Sequence, residues 1–426
     1  MVSFLLLPLY THLLSPSDAG IIFIIYTVLA FFNTIYSRGM DAALFKFYDK
    51  KNSRAAISTS IIYSTKHGGF LTLLLFNHGV NNRVSGQPSA NLRSASVIIA
   101  IRNGETSLVN LISDLQSQNY AGKYEVILVD DNSSDNTAKI IEKIVGQDHH
   151  FRHINSIEGK VDLSLKKRAL DAGIQKAAHD ILLFTDVDCR LTKGWISSLV
   201  SAFTPQTEFV VGLSKIIPTE SLVSRFQSLD FQMLETASLG MASIGKPWAC
   251  TGQNQAYRKS LYEEVGGFDK ISSLVQGDDT LFLQICRNNS AHTSYIFYDE
   301  SIVISRTENN LTSLLKQRMR WSGDASRMLA YNPAFFVMII ATFLTNGFFC
   351  IIFFLDFPVY HAISGLILKF IGELTLYKTG NVLFNKADNN YFDFSCWFLL
   401  QIPFVLFMGL TSFWAQPFLG WQDRKA

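Results

Sequence analysis

The chain has few cysteines and few charged side chains for its 426 residues. Its five cysteines, at positions 189, 250, 286, 350 and 396, are far apart and form no CxxC pair. This scatter argues against a zinc site or a disulfide framework and is typical of a reduced, cytosol-facing domain. Only 17% of the residues are charged, and the formal net charge is +2. A nucleic-acid binder would carry a strong basic excess, so nucleic acid is not an expected partner.

A glycine-rich phosphate loop is also missing where one would be expected. The strand predicted at residues 97–101 is followed by Arg102-Asn103-Gly104-Glu105, with neither a Walker A nor a GxGxxG sequence. This argues against a P-loop NTPase and against a Rossmann dehydrogenase. A nucleotide bound here must have its phosphates neutralised by a metal ion and basic side chains.

Hydrophobic residues, in contrast, are abundant and concentrated in long runs near the C-terminus. They make up 48% of the chain, which includes 34 phenylalanines. Arg327 and Asp356 bracket 28 residues without a charge, and Asp393 and Asp423 bracket 29 more. Each run is long enough to cross a bilayer, so both are predicted transmembrane helices.

A third apolar stretch, at 361–377, carries Lys369 and Glu373. We expect either a further span or an interfacial helix here. If it spans, Glu373 should face protein or a water-filled cleft, because an ionisable side chain in lipid is costly.

The first 80 residues are predicted to form an N-terminal membrane segment, with uncharged runs at 1–17 and 19–37. The basic residues between Arg38 and Arg54 place the following side in the cytoplasm by the positive-inside rule. Residues 1–65 resemble the start of a bacterial oligosaccharide flippase, which implies a membrane anchor or a gene-fusion remnant. Polar, turn-rich residues 81–94 are predicted to be a linker, followed by a domain at 95–330 and a transmembrane region of two or three helices at 331–426.

Strands alternate with helices between residues 97 and 184, which predicts a parallel α/β sheet. The predicted strand at 124–130 ends in Asp130 and Asp131, and the apolar run at 181–184 leads into Asp186 and Asp188. Parallel strands present their carboxyl ends at one edge of a sheet, so these carboxylates should meet there. Paired carboxylates suit Mg²⁺ or Mn²⁺ carrying a diphosphate. The alternative is that the acids only form a loop and a helix cap.

Three later motifs add polar residues to the predicted site. They are the segment 251–258, the triplet Gly277-Asp278-Asp279 and Gln317-Arg318-Met319-Arg320-Trp321 before the first long C-terminal run. The acid pair could simply cap the following helix. Trp321 could bind a sugar on its flat face or sit at the membrane interface as a helix-end aromatic.

The order of these motifs over about residues 92–330 resembles the family 2 glycosyltransferases, specifically bacterial membrane-bound members with DxD and Q(Q/R)xRW motifs. The resemblance implies an α/β GT-A fold, the Rossmann-like fold of nucleotide-diphospho-sugar transferases, with transmembrane helices at both ends. It also implies an inverting hexosyl- or N-acetylhexosaminyltransferase that uses a nucleotide-diphosphate sugar, a UDP-sugar in particular. The expected acceptor is lipid-linked or a polysaccharide in cell-envelope glycan synthesis. The catalytic domain would face the cytoplasm from the bacterial inner membrane.

The resemblance also assigns roles to individual residues. Asp279 would be the catalytic base, and Asp188 with Asp186 would hold the divalent cation. Nucleotide-sugar binding is expected from Asp130, Asp131, Arg102, Glu105, Lys166 and Asp186. Acceptor or diphosphate contacts are expected from Asp278, Gln317, Arg318, Arg320, Trp321 and Asn254.

Two other functions fit the same sequence. One is a lipid glycosyltransferase of the ceramide or hopanoid type, which shares the aspartate motifs. The other, of a different class, is a non-catalytic membrane component of glycan export, indicated by the flippase-like segment. A scaffold has no need of complete acidic motifs, so the enzyme is the favoured hypothesis.

Overall fold

A computed structural model describes residues 92–352, 359–386 and 389–411. The predicted N-terminal membrane segment, its flippase-like part and nearly all of the predicted linker lie outside the described residues. The described residues fall into two compact units. The larger contains 92–351, 370–386 and 389–411, and the smaller contains 352 and 359–369.

The larger unit is built on a seven-stranded sheet with the strand order β3-β2-β1-β4-β7-β5-β8, and β6 pairs with β9 in a separate two-stranded sheet. The strands are β1 (Ala95–Ile101), β2 (Tyr124–Asp130), β3 (Phe151–Asn155), β4 (Ile181–Phe184), β5 (Phe209–Gly212), β6 (Ser214–Ile216), β7 (Gln255–Arg258), β8 (Thr293–Ile296) and β9 (Val303–Ser305). The strands predicted at 97–101, 124–130 and 181–184 are confirmed.

The parallel arrangement predicted for the strands between residues 97 and 184 is confirmed, and one later strand runs in the opposite direction. β1, β2, β3 and β4 run parallel, as do β5 and β8, but β7 is antiparallel to both β4 and β5. Phe184 at the end of β4 pairs with Gln255 at the start of β7. The chain therefore enters β7 from the edge where β4 ends, which places the segment before Gln255 beside the loop that carries Asp186.

Twelve helices are described. They are α1 (Leu108–Gln116), α2 (Thr137–Val145), α3 (Leu165–Lys176), α4 (Trp195–Ser201), α5 (Leu222–Ser243), α6 (Lys259–Glu264), α7 (Thr280–Asn288), α8 (Leu311–Ser322), α9 (Met328–Tyr331), α10 (Pro333–Ile351), α11 (Val359–Leu383) and α12 (Tyr391–Thr411). Helices α1, α2 and α3 confirm the predicted alternation of strands and helices between residues 97 and 184.

Apolar side chains cover both faces of the main sheet. Successive side chains of a strand point to opposite faces, so Ile98 of β1 packs with α3 and α7 while Val97 and Ile99 pack with α1 and α4. All three residues are fully buried. Burial on both faces explains why the strand is continuously apolar rather than alternating.

Helix α5 contacts both the strand β6 and the C-terminal helix α12. Its Ser228 donates a hydrogen bond to the carbonyl of Ile216 in β6 at 2.7 Å. On its other side Arg225 pairs with Asp393 of α12 at 3.0 Å, and the ring of Phe226 lies 5.1 Å from that of Phe404. Helix α5 therefore packs within the protein on both of these sides.

Two of the C-terminal helices, α10 and α12, are long and apolar enough to cross a membrane, with mean hydropathies of 2.1 and 1.8. They coincide with the two uncharged runs predicted to span. Gln401 of α12 donates hydrogen bonds to both carboxylate oxygens of Glu373 at 3.1 and 3.2 Å. Glu373 therefore faces protein, as expected for an acid at this position of the chain.

Candidate functional site

One lysine joins two of the acidic motifs at the carboxyl edge of the sheet. Lys166, in the first turn of α3, places its Nζ 2.9 Å from Asp186 Oδ1 and 2.9 Å from Asp278 Oδ2. Asp186 follows β4, and Asp278 precedes α7. The three side chains are only 14%, 11% and 9% exposed, respectively. Three distant parts of the sequence thus form one buried charge cluster, here called the Lys166 cluster.

The two carboxylates of this cluster hold Lys166 in its charged form. Burial alone would lower the pKa of Lys166, but the carboxylates of Asp186 and Asp278 outweigh it and raise that pKa far above its usual value. The neighbouring Lys167 is fully buried, and its Nζ donates to the carbonyls of Leu274 and Gln276. Lys167 therefore fixes the segment that leads into Asp278.

Asp279 caps the N-terminus of α7 next to this cluster. Its carboxylate accepts hydrogen bonds from the backbone N–H groups of Thr280 and Gly252. Burial and the charge of Asp278 raise the pKa of Asp279 to about 6, although Lys166 and these two N–H groups oppose the shift. The helix-cap interpretation and the site interpretation of this acid pair are therefore compatible. A carboxyl with this pKa is poised for general-base chemistry near neutral pH.

Gly252 is in close contact with the Lys166 cluster. A Cβ at this position would sit 3.1 Å from Lys166 Nζ and 3.4 Å from Asp278 Oδ2. A larger residue would therefore press on the ion pair. Gly277, just before the acid pair, has a φ of +104°, a conformation that only glycine adopts readily. Both glycines of the predicted motifs have a steric reason to be there.

Sequence reasoning missed a further acid, Asp324, two residues after the end of α8. Burial, followed by the charges of Asp279 and Asp278, raises the pKa of Asp324 to about 7, while Lys167 and Arg327 oppose the shift. Asp324 thus belongs to the same electrostatic environment as the catalytic-base candidate. Its position three residues after Trp321, the last residue of a predicted site motif, was the sequence feature that could have identified it.

The loops after β1 and β2 are joined along the same edge of the sheet. Arg102 Nη1 donates to the carbonyl of Asp131 at 3.2 Å and lies 3.6 Å from its carboxylate. Asp130 accepts a hydrogen bond from the backbone N–H of Ser133 at 3.2 Å. Glu105 accepts hydrogen bonds from the backbone and side chain of Asn136 at 2.8 and 2.9 Å. These contacts brace the loops that the sequence assigned to nucleotide binding.

The β1 loop also touches the loop that carries Asp186 and Asp188. A Cβ at Gly104 would lie 2.8 Å from the side chain of Val187, so the two loops are in close contact. The two acidic loops therefore lie at the same edge of the sheet, as predicted, and the β1 loop lies between them. Their roles in binding a nucleotide stay predictions.

Helix α8 presents the Gln317–Trp321 motif beside the acid pair. The backbone carbonyl of Arg320 accepts a hydrogen bond from Gln276 Nε2 at 2.9 Å, which ties this helix to the segment before Gly277. Gln317 accepts a hydrogen bond from Gln227 of α5 at 3.1 Å. Trp321 is partly exposed, and its ring lies 6.0 Å from that of Phe231.

The position of Arg318 differs from the one expected for a residue that contacts the acceptor or the diphosphate. It is 5% exposed, its Nη2 lies 2.9 Å from Asp230 Oδ2 on α5, and its guanidinium stacks 4.3 Å from the Trp321 ring. Burial lowers the pKa of Arg318, and Asp230 opposes that shift. Arg318 is buried between Asp230 and the ring of Trp321. It therefore supports the tryptophan from inside the protein.

The prediction for Asn254 is corrected by its position in the core. Asn254 is fully buried, and its Nδ2 donates to the carbonyls of Leu213 and Ser301 at 2.7 and 2.8 Å. Its Oδ1 accepts a hydrogen bond from Trp195 Nε1 at 3.0 Å. Because its donors and its acceptor are all used within the fold, Asn254 is a packing residue and not an acceptor contact.

The donor set at the end of β4 fits a hard divalent cation. Asp186 and Asp188 offer carboxylate oxygens, which Mg²⁺ and Mn²⁺ prefer over nitrogen or sulfur ligands. The described cysteines are scattered and unpaired with any thiol, so a soft-metal site is not formed with them. The two aspartates are the residues that would hold such an ion.

Comparison with known proteins gives a family match over part of the chain. Residues 96–266 match the model described as "Glycosyl transferase family 2". The chain is 23% identical over 264 residues to the poly-beta-1,6-N-acetyl-D-glucosamine synthase of Staphylococcus aureus (strain COL). That alignment covers 60% of this chain and 60% of the synthase, so the chain spans less than two thirds of this relative's length.

Solved structures resemble the chain more loosely. One is the mannosyltransferase PcManGT from Pyrobaculum calidifontis in complex with GDP-Man and Mn²⁺, which is 13% identical with a TM-score of 0.49. The match covers 86% of this chain and 99% of that one. Another is S. aureus TarS 1-349 in complex with UDP-GlcNAc, 16% identical with a TM-score of 0.40, covering 75% of this chain and 89% of that one.

Proposed function

Because the chain carries a family 2 glycosyltransferase domain over residues 96–266, we propose that it is a membrane-bound inverting glycosyltransferase of cell-envelope glycan synthesis. Its donor would be a nucleotide-diphosphate sugar, and its acceptor a lipid-linked sugar or a polysaccharide. The catalytic domain would face the cytoplasm. The observation that carries the proposal is the Lys166 cluster with Asp279 beside it, since these groups supply charge stabilisation and a base at one edge of the sheet.

The reaction needs a base for the acceptor and charge stabilisation for the leaving group. Asp279 would take the proton of the acceptor hydroxyl, whose oxygen forms a bond to the anomeric carbon of the donor. The bond between that carbon and the diphosphate oxygen breaks at the same time, and its electron pair leaves with the nucleoside diphosphate. A single base opposite the leaving group gives inversion, hence a β-linkage from an α-linked donor.

Lys166 is the side chain proposed to stabilise the negative charge that develops on the departing diphosphate. Its Nζ already lies within 2.9 Å of two carboxylates, and an ammonium there would also stabilise a diphosphate by charge-assisted hydrogen bonds. Arg320 is proposed to add to that stabilisation. A Mg²⁺ or Mn²⁺ ion held by Asp186 and Asp188 would supply Lewis-acid stabilisation of the departing diphosphate.

The membrane location is supported by α10 and α12, which have the length and composition of spanning helices. Trp321 and Arg320 lie on α8, which is followed by the short helix α9 and then by α10. An acceptor site next to a membrane helix suits a lipid-linked or growing glycan better than a free sugar. Trp321, supported by Arg318, would offer the acceptor sugar a flat apolar face.

A UDP-N-acetylhexosamine is the first donor to test. The supporting observation is the similarity to the poly-beta-1,6-N-acetyl-D-glucosamine synthase of S. aureus. A UDP-hexose is the second donor, and GDP-sugars complete the panel.

The test is donor turnover by the purified full-length protein in detergent. Release of nucleoside diphosphate is measured for each donor with Mn²⁺, with Mg²⁺ and with EDTA. We expect metal-dependent turnover of one donor by the parent and its loss in the Asp188→Ala variant. Glu142→Ala, at an exposed position of α2, is the matched control and should keep the parent's rate.

Two alternatives give different results in this assay. A lipid glycosyltransferase would transfer the sugar to ceramide- or hopanoid-type lipids and not to glycan acceptors. A non-catalytic component of glycan export would turn over no donor in the panel and bind no nucleotide. The second result would refute the proposed function.

A further inference from the structure

A cavity in the larger unit lies apart from the Lys166 cluster. Its walls come from β6 and the residues after it, from α5, and from the segment after α11. The apolar part includes Ile216, Ile217 and Phe384, and the polar part includes Gln232, Lys215 and Lys386. A partly apolar cavity with two lysines among its lining residues has the chemistry to receive an anionic group joined to a hydrocarbon chain.

The two lysines leave this cavity with an excess of positive charge. Burial and the like charge of Lys215 lower the pKa of Lys386, and Asp393 opposes that shift. Asp393 is itself paired with Arg225 at 3.0 Å and accepts a hydrogen bond from Asn390 at 2.9 Å. Asp393 therefore does not neutralise both lysines, because its own charge is already shared with an arginine.

The cavity lies where a membrane helix begins. Lys386 follows α11, and α12 begins at Tyr391. The segment between them is held to the catalytic domain, because Asn385 Nδ2 donates to both carboxylate oxygens of Asp299 at 2.6 and 2.7 Å. If α12 spans the bilayer from its first turns, Lys386 lies at the depth of the lipid headgroups, where basic residues attract anionic lipids.

Apolar surface continues outward from the cavity. Ile217, which lines it, is 54% exposed, and Val382, two residues before Phe384, is 70% exposed. Exposed aliphatic side chains beside a basic pocket are suited to an acyl chain that continues from a bound headgroup. The lysines and the aliphatic residues together match the two parts of a phospholipid.

We propose that this cavity binds the phosphate headgroup of an anionic membrane phospholipid, with Lys215 and Lys386 contacting the phosphate. The site would fix the depth and orientation of the catalytic domain on the membrane. It depends on the membrane location proposed above, and it does not involve the Lys166 cluster or the sugar donor.

The test measures lipid binding to the purified full-length protein in a zwitterionic detergent by native mass spectrometry. Phosphatidylglycerol is compared with phosphatidylcholine for the parent and for the double variant Lys215→Gln and Lys386→Gln. A basic residue near anionic lipid contributes about fivefold in affinity, so the preference for phosphatidylglycerol should fall about 25-fold in the double variant.

The matched control is the double variant Lys139→Gln and Lys143→Gln, which removes the same charge from exposed positions of α2. It should keep the parent's lipid preference within twofold. Elution as a single species and an unchanged melting temperature establish that each variant is folded. A double variant of the cavity that still prefers phosphatidylglycerol as the parent does would overturn the proposal.

Two further arms identify the source of the phosphate and separate this proposal from the proposed function. Lysine-dependent binding of a polyprenyl phosphate without binding of phosphatidylglycerol would refute the assignment to a phospholipid. Extraction of the protein from membranes by alkaline carbonate without detergent would refute the membrane location itself. Retention in the membrane with no lysine-dependent lipid preference would refute only the lipid site.

Discussion

The variant Asp279→Asn tests the proposed catalytic base with little change in shape. Asparagine caps a helix about as well as aspartate, and its amide oxygen can still accept a hydrogen bond from Thr280 or Gly252. It cannot take a proton from the acceptor. General-base catalysis contributes about 10²- to 10⁴-fold to a rate, so we expect a loss of transfer of that size.

The same substitution should not destabilise the protein. Burial and Asp278 raise the pKa of Asp279 from 3.8 to about 6, so the folded state holds its proton more tightly than the unfolded chain does. The stabilisation from that bound proton is present below about pH 4 and is lost as the pH rises through about 6. A shift of two pKa units corresponds to about 3 kcal/mol at most, and screening at this partly exposed carboxyl reduces it. At pH 7 the Asp279→Asn variant should be at least as stable as the parent.

The assay combines a pH profile with denaturation. For the parent, kcat/KM should fall about tenfold for each pH unit below about 6, because only the ionised carboxylate acts as the base. The urea midpoint at pH 7 should be equal or higher in the Asp279→Asn variant. Transfer above a tenth of the parent's rate would refute the role of Asp279, and a lowered midpoint would refute the electrostatic explanation.

Three further predictions concern the surroundings of the base. Lys166→Gln should lower the melting temperature, because breaking a buried ion pair costs about 3–5 kcal/mol, and adding Asp278→Asn should restore part of the loss in the same thermal assay. Removal of divalent cations with EDTA should abolish donor turnover, and added Mn²⁺ should restore it in the parent but not in Asp188→Ala. Arg318→Lys should raise the KM for the acceptor more than it lowers donor hydrolysis, since lysine stacks less well on Trp321; equal effects on both reactions would count against this support role.

One aspartate links α12, a helix long and apolar enough to cross a membrane, to the predicted acceptor side. Asp230 on α5 pairs with Arg318 at 2.9 Å and accepts a hydrogen bond from Trp397 of α12 at 3.4 Å. Arg318 in turn stacks on Trp321. Helix α12 therefore helps to position the tryptophan that is proposed to bind the acceptor.

Local patterns were enough to predict three strands (β1, β2 and β4), the helices between them and the edge of the sheet where the acids lie. The apolar runs at β1 and β4 and the acids that follow β2 and β4 lie close together in the sequence. In parallel strands the carboxyl ends share one edge, so the position of Asp130 and Asp186 follows from topology alone. The class of fold and the location of the site could thus be read from the sequence.

The partners within the site were decided only by the tertiary structure. Lys166 in α3 and Asp278 before α7 are far apart in the sequence, and no spacing rule predicts that one ammonium lies between Asp186 and Asp278. The antiparallel direction of β7 was equally hidden, because its four residues do not encode their orientation. That direction brings Gly252 against the cluster while the next buried polar residue, Asn254, turns into the core.

The sequence by itself indicated the chemistry proposed for this protein, because carboxylates, a lysine and an aromatic motif occur in a specific order along the chain. Which of them face each other depended on packing between distant elements. Arg318 and Asn254 belong to the same motifs as the site residues, yet both are buried and used by internal partners. Burial and long-range hydrogen bonds separate supporting residues from site residues, and these arise only when the whole domain is folded.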